Sequence, residues 1–157
     1  MRTHRISGLP LLLFLSLAAC SDPPSVAPAR PGVPGSGPHG LDAAAVARGA
    51  GIFRQHCASC HGDRAQGALA WNQPGADGKY PPPPLDGSAH AWHHSYSWLK
   101  DTIRQGTVNR GGGMPAWSGT LSGADIDAVI IYFQSLWPEE IYQAWLDIDR
   151  RARKAAR

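Results

Sequence analysis

The stretch His56-Cys57-Ala58-Ser59-Cys60-His61-Gly62 decides how the rest of the chain is read. Three kinds of chemistry use two cysteines set two residues apart. A thioredoxin-like redox pair needs no histidine behind it. A structural zinc site needs four ligands, usually from two such half-sites. A covalent c-type haem uses Cys57, Cys60 and His61 together, the thiols as thioethers to the vinyl groups and the imidazole as an axial ligand of the iron.

The chain has 157 residues, enough for one domain of ordinary size, and three cysteines. No second C-x-x-C exists, so a four-cysteine zinc site is excluded. A mixed site would have to recruit His90, His93 or His94. No strand–helix alternation surrounds the pair, which argues against a thioredoxin-like motif.

The third cysteine, Cys20, has its own setting. Arg2 and Arg5 form a basic start, and Leu9–Ala19 is an apolar run of eleven residues, too short to span a bilayer. The run ends in Leu17-Ala18-Ala19-Cys20, which resembles the lipobox of bacterial lipoproteins. That resemblance implies cleavage before Cys20 and lipidation of Cys20, with residues 1–19 as signal peptide. The protein is then expected to be exported and anchored, facing the periplasm. Of the twenty residues Ser21–Gly40, six are proline and four glycine, with little to bury. Residues 20–40 are therefore expected to form a lipid-bearing tether, reaching roughly 60 Å at about 3.1 Å per residue if extended.

Charge needs apportioning. The formal balance is +3, but five of the last eight residues are basic, and Ser21–Asp149 holds eight Lys/Arg against twelve Asp/Glu. The expected body is mildly acidic with a short basic tail. An exported, anchored chain meets no DNA, so no nucleic-acid partner is expected.

Helical signals dominate. Asp42 is placed to cap a helix running to about Cys57, with Val46, Gly49 and Phe53 on one face. Residues 62–87 lack periodicity and read as a long loop. Ser97 is expected to cap a short helix over Trp98–Gln105, with Gly106 stopping it. Ser122-Gly123-Ala124-Asp125 approximates a capping box before the stripe Ile126, Val129, Ile130, Phe133 and Leu136/Trp137. Pro138 separates this from a last helix with Ile141, Trp145 and Ile148 on one side. Nothing reads as a sheet.

With His61 on one side of an iron, the second axial position sets the function. Met114 is the sole methionine once Met1 leaves with the signal. It lies 53 residues after His61, in Gly111-Gly112-Gly113-Met114-Pro115. Glycines before it permit close approach to a flat ring, and Pro115 stiffens the far side. A packing methionine would ordinarily sit on an apolar helix face instead.

From Asp42 to about Trp137 the chain resembles the single-haem class I cytochromes c. Gly49 and Phe53, the CASCH motif, Pro81-Pro82-Pro83-Pro84-Leu85, Met114-Pro115 and Tyr132 occur in the family's order. The resemblance implies an all-α cytochrome c fold, about four helices with long loops wrapped around one covalent haem c, over residues 41–138. Residues 139–157 would be an extra C-terminal helix with a basic tail. It implies that Pro83, or Pro84, accepts a hydrogen bond from the His61 Nδ1–H beside Leu85. It also implies that Tyr132 packs on the first helix near Gly49. His/Met ligation closes both axial positions, which suits an electron carrier, not an enzyme, exchanging electrons with an oxidase, reductase or dehydrogenase.

Two other functions stay open at this stage. One is a haem sensor or gas-binding module with a displaced Met114. The other is a metal-handling protein using His90, His93 and His94. The plainer expectation for those three is partial exposure, with Trp92 turned inward. His56 is expected to face solvent and His39 to lie in the tether. Trp98 and Trp117 are candidate pocket walls.

Overall fold

Asp42 starts the first helix as its sequence position requires: its Oδ1 accepts the Ala45 N–H at 2.7 Å. The computed structural model describes residues 36–157. Cys20, the signal segment and the first part of the expected tether lie outside the described residues. Five α-helices follow in order: α1 (Ala43–His56), α2 (Ala58–His61), α3 (Tyr96–Gln105), α4 (Gly123–Ser135) and α5 (Glu139–Ala155). Among the described residues there is no strand, only an isolated bridge between Ser36 and Asp42.

α1 and α4 cross at close range, and the residue that permits it is Gly49. A Cβ at Gly49 would overlap the Ala128 carbonyl and come within 2.7 Å of the Tyr132 Cβ. The Tyr132 ring packs 5.2 Å from that of Phe53, centroid to centroid. Phe53, Ile126, Val129, Ile130 and Phe133 are buried around the crossing. Burying side chains of this size contributes about 1.5–3 kcal/mol each. The α4 start carries a complete capping box: Ser122 Oγ accepts the Asp125 N–H, and Asp125 Oδ2 accepts the Ser122 N–H. Asp125 also pairs with Arg48 of α1 at 2.7 Å, bracing the crossing from outside.

α3 begins two residues earlier than its sequence suggests. Its cap is Ser95, whose Oγ accepts the Trp98 N–H, and Ser97 only bonds to that hydroxyl. Both serines fit a cap locally. Asp149 of α5 decides between them, because its buried Oδ1 accepts the Tyr96 N–H at 2.8 Å and makes Tyr96 the first helical residue. Gly106 ends the helix as expected, at φ +67°.

α5 shares the core instead of extending from it. The face it buries carries Tyr142, Trp145 and Asp149, whereas Ile141 and Ile148 are half-buried. The stripe is rotated from the apolar one in the sequence because Asp149 is satisfied twice, by the Tyr96 N–H and by the Arg153 guanidinium. Three bonds tie Trp137 and α5 to residues 85–96. Trp137 Nε1–H donates to the Leu85 carbonyl, Trp145 Nε1–H to the His94 carbonyl, and Tyr96 N–H to Asp149. Their sequence separations are 52, 51 and 53, so the stretch from Trp137 through α5 runs parallel to residues 85–96 in near-constant register.

The folded body also reaches into the segment read as tether. His39 stacks on Tyr142 at 4.2 Å, and its Nε2 lies 3.0 Å from the Trp137 carbonyl. Its Nδ1 lies 2.6 Å from Glu139. The boundary expected at Leu41 therefore falls after the first side chain that docks.

Candidate haem-attachment site

The cysteine pair sits where α1 stops. Cys57 is the last residue bonded to α1, its N–H reaching the Phe53 carbonyl at 2.8 Å, and it leads into the single turn of α2. That turn presents Cys57, Cys60 and His61 from a rigid corner, with Ala58 buried beneath. Both thiols are free. Burial first, then the nearby Cys60, pushes the Cys57 thiol up to about 11. A redox nucleophile needs the opposite shift, since the thiolate is the reacting form. The upward direction at Cys57 gives the thioredoxin-like reading no support.

His61 is half-buried, and burial, the larger effect, lowers its pKa while the bond to Pro83 opposes it. The imidazole therefore favours its neutral form. Its Nδ1 lies 2.8 Å from the Pro83 carbonyl, which can only accept, so Nδ1 carries the proton and Nε2 presents its lone pair. A metal-ligating histidine is held this way, with the far nitrogen fixing tautomer and ring orientation. Of the two prolines that the resemblance allows, the structure places Pro83 at the bond.

The loop carrying Pro83 is zipped to the one after His61. Gly67 N–H donates to the His61 carbonyl at 2.7 Å, Leu85 N–H to Ala65 at 2.7 Å, and Ala68 N–H to Pro82 at 2.9 Å. Gly67 has φ +71°, and a Cβ there would come within 2.6 Å of the Pro83 carbonyl carbon. Only glycine satisfies both the conformation and the approach.

Met114 is half-buried and packs against the same core as Cys57 and Leu85. Its backbone is bracketed by one residue. Thr107 N–H donates to the Met114 carbonyl at 2.8 Å, and Thr107 Oγ1 accepts the Met114 N–H at 3.0 Å. Gly106 is the platform beneath: a Cβ there would lie 2.6 Å from the Met114 carbonyl oxygen. Sequence reasoning passed over Thr107, although a threonine opening a glycine-rich loop is a recognisable turn signal.

Other expectations are redistributed. Trp117 is half-buried, edge-on to His56 at 5.3 Å, so His56 is covered on one side instead of facing solvent. Trp98 is 40% exposed, stacked on His94 at 3.6 Å with Arg110 5.7 Å from its ring centre. His90 and His93 are exposed, and Trp92 packs partly inward beside His93. The three histidines each meet a tryptophan: Trp71, Trp92 and Trp98. Among the described residues no group of three or more His, Cys, Asp or Glu is placed to hold a metal ion. The metal-handling reading therefore has no geometric support.

The donor set fits a covalently held haem: two free thiols and an oriented imidazole on one corner, and a thioether fixed by its own loop. Residues 44–133 match the family model described as cytochrome c oxidase, cbb3-type, subunit III. The chain belongs to that family. It is thus a c-type cytochrome, a class that carries electrons on covalently bound haem c. A cbb3-type cytochrome c oxidase subunit CcoP of Azospirillum sp. strain B510 is 40% identical over 95 residues, 60% of this chain and 30% of the relative. Subunit FixP of Bradyrhizobium sp. strain ORS 278 is 40% identical over 97 residues, 62% of this chain and 28% of that one. Subunit FixP of Azorhizobium caulinodans is 35% identical over 127 residues, 80% of this chain and 38% of that one. The chain thus spans about a third of the length of these curated relatives. No solved structure matches. Among the described residues no helix is long and apolar enough to cross a membrane.

Proposed function

We propose that this cytochrome holds one haem c through thioethers from Cys57 and Cys60, with His61 and Met114 as axial ligands, and passes single electrons to or from an oxidase complex. The observation that carries this is the His61–Pro83 hydrogen bond at 2.8 Å, which leaves Nε2 as the free donor nitrogen. Met114 is bracketed at both backbone groups by Thr107, which supports its role opposite. With both axial positions filled by side chains, the iron offers no open site for substrate, and thioether ligation raises the potential. The oxidase as partner is supported by the printed names of the relatives, which are oxidase subunits.

The same reading places the protein outside the cytoplasm, held to a membrane by lipid on Cys20. The Leu17-Ala18-Ala19-Cys20 box supports it. Two or more acyl chains give stable anchoring, at about 0.8 kcal/mol per buried CH2.

The deciding experiment is spectroscopic. Haem stain should survive a denaturing gel, and haem that extracts into acid–acetone would defeat covalent attachment. Met114→Ala should lose the weak near-infrared thioether-to-iron band, bind CO and lower the potential. A Met114→Ala protein with an unchanged spectrum would defeat Met114 as ligand. Wild-type protein that washes from membranes with salt alone would defeat the lipid anchor.

A further inference from the structure

We infer that Trp137, outside the matched stretch 44–133, is a positioning residue for the proximal histidine: its indole N–H sets the strength of the His61–Pro83 hydrogen bond. The inference rests on the proposed ligation by His61.

Trp137 is 3% exposed, at the corner between α4 and α5. Its Nε1–H donates to the Leu85 carbonyl at 2.8 Å. Leu85 is two residues beyond Pro83, and its own N–H is fixed to the Ala65 carbonyl. The segment Pro83–Leu85 is thus pinned at both polar groups of Leu85. Pro83 and Pro84 have no N–H and fixed φ, so the segment has few other ways to be held. The Pro83 carbonyl inherits its direction from that pin. Trp137 is itself fixed. Its ring packs against Phe133 and Trp145 at 5.9 and 5.8 Å, and its carbonyl faces His39 Nε2 at 3.0 Å. Gly87 lies against it, where a Cβ would come within 3.2 Å of the indole.

A stronger bond to Nδ1–H gives the imidazole more imidazolate character and makes Nε2 the better donor, which favours ferric iron. Loosening Pro83 reverses this, so the potential should rise. Trp145 offers the control. It is equally buried, and its Nε1–H also donates to a backbone carbonyl, but that of His94, away from the His61 loop.

The test compares Trp137→Phe with Trp145→Phe in the haem-loaded protein. Two quantities are read: the reduction potential, and the exchange rate of the His61 Nδ1 proton by 15N NMR in the ferrous state. Trp137→Phe should raise the potential and speed exchange about tenfold, near the equivalent of one neutral hydrogen bond. Trp145→Phe keeps the Trp137 donor and loosens only one side of its ring packing, so it should lose stability and shift both quantities by much less than Trp137→Phe. If Trp137→Phe does not fold, benzothienylalanine at position 137 keeps the ring shape and removes only the N–H, and the same two shifts are expected. Unchanged potential and exchange in either Trp137 variant overturns the inference. So do equal shifts in both tryptophan variants. A His61→Ala protein that keeps the wild-type low-spin spectrum would instead overturn the ligand assignment, and the Trp137 relay with it.

Discussion

The backbone of Gly49 in α1 lies directly against the Ala128 carbonyl of α4, with no room for a side-chain carbon between them. The absent methyl is what lets the two helices approach this closely.

Gly49→Ala should therefore destabilise the protein even though alanine favours helix. Propensity would gain about 1 kcal/mol. Overpacking should cost about 3 kcal/mol, because the obstacle is backbone and cannot rotate away. Thermal unfolding should show a net loss. A melting temperature at or above wild type would mean that the helices part at little cost.

Asp125 predicts an acid limit. The Ser122 hydroxyl, then the Arg48 guanidinium, hold its carboxyl down from an ordinary 3.8 to about 2. A depressed carboxylate contributes fully above its unfolded value and less as pH falls toward its folded one. Stability should thus drop between pH 3.8 and about 2 as this contribution disappears. Asp125→Asn should lower stability at pH 7 and flatten that part of the profile. Parallel wild-type and mutant profiles across this window would refute the assignment.

Asp149 joins α5 to the start of α3. Replacing it with alanine leaves the Tyr96 N–H without its acceptor and frees Arg153. Loss of a helix-capping acceptor in a buried setting should cost about 2 kcal/mol. Hydrogen exchange should quicken first in α3, Tyr96–Gln105. Uniform quickening across all helices would argue against a local cap.

Gly67→Ala tests the proximal loop from its other side. The new methyl meets the Pro83–Pro84 junction at a backbone with φ +71°. The variant should lose stability by about 2 kcal/mol and broaden or shift the His61 ring signals. Intact His61 signals in a folded variant would show that the two loops are not mechanically joined.

Much of this was legible locally. The Asp42 cap, the capping box at Ser122 and the Gly106 stop each depend on residues within three or four positions. Gly49 and Tyr132 were reached through the family pattern, and the crossing places them in contact. What escaped depends on partners far along the chain. Ser95 and Ser97 are equivalent caps until Asp149 reaches across 53 residues. The buried face of α5 includes an aspartate because Tyr96 and Arg153 satisfy it, and no hydrophobic pattern encodes that. His39 looks like tether in a Pro/Gly-rich stretch, and only the Tyr142 ring and the Trp137 carbonyl give it a place.

The near-constant register of Trp137 and α5 beside residues 85–96 bears on how this unit can be moved between proteins. A piece cut to residues 44–133 keeps Cys57, Cys60, His61 and Met114. It loses the indole donors to Leu85 and His94 and the carboxylate acceptor for Tyr96. The attachment motif and the part that steadies it are therefore separable in sequence but not in the folded body. As a cassette for fusion or domain exchange, the transferable block runs past Asp149, and a graft ending sooner needs a host surface that offers the same two donors and one acceptor.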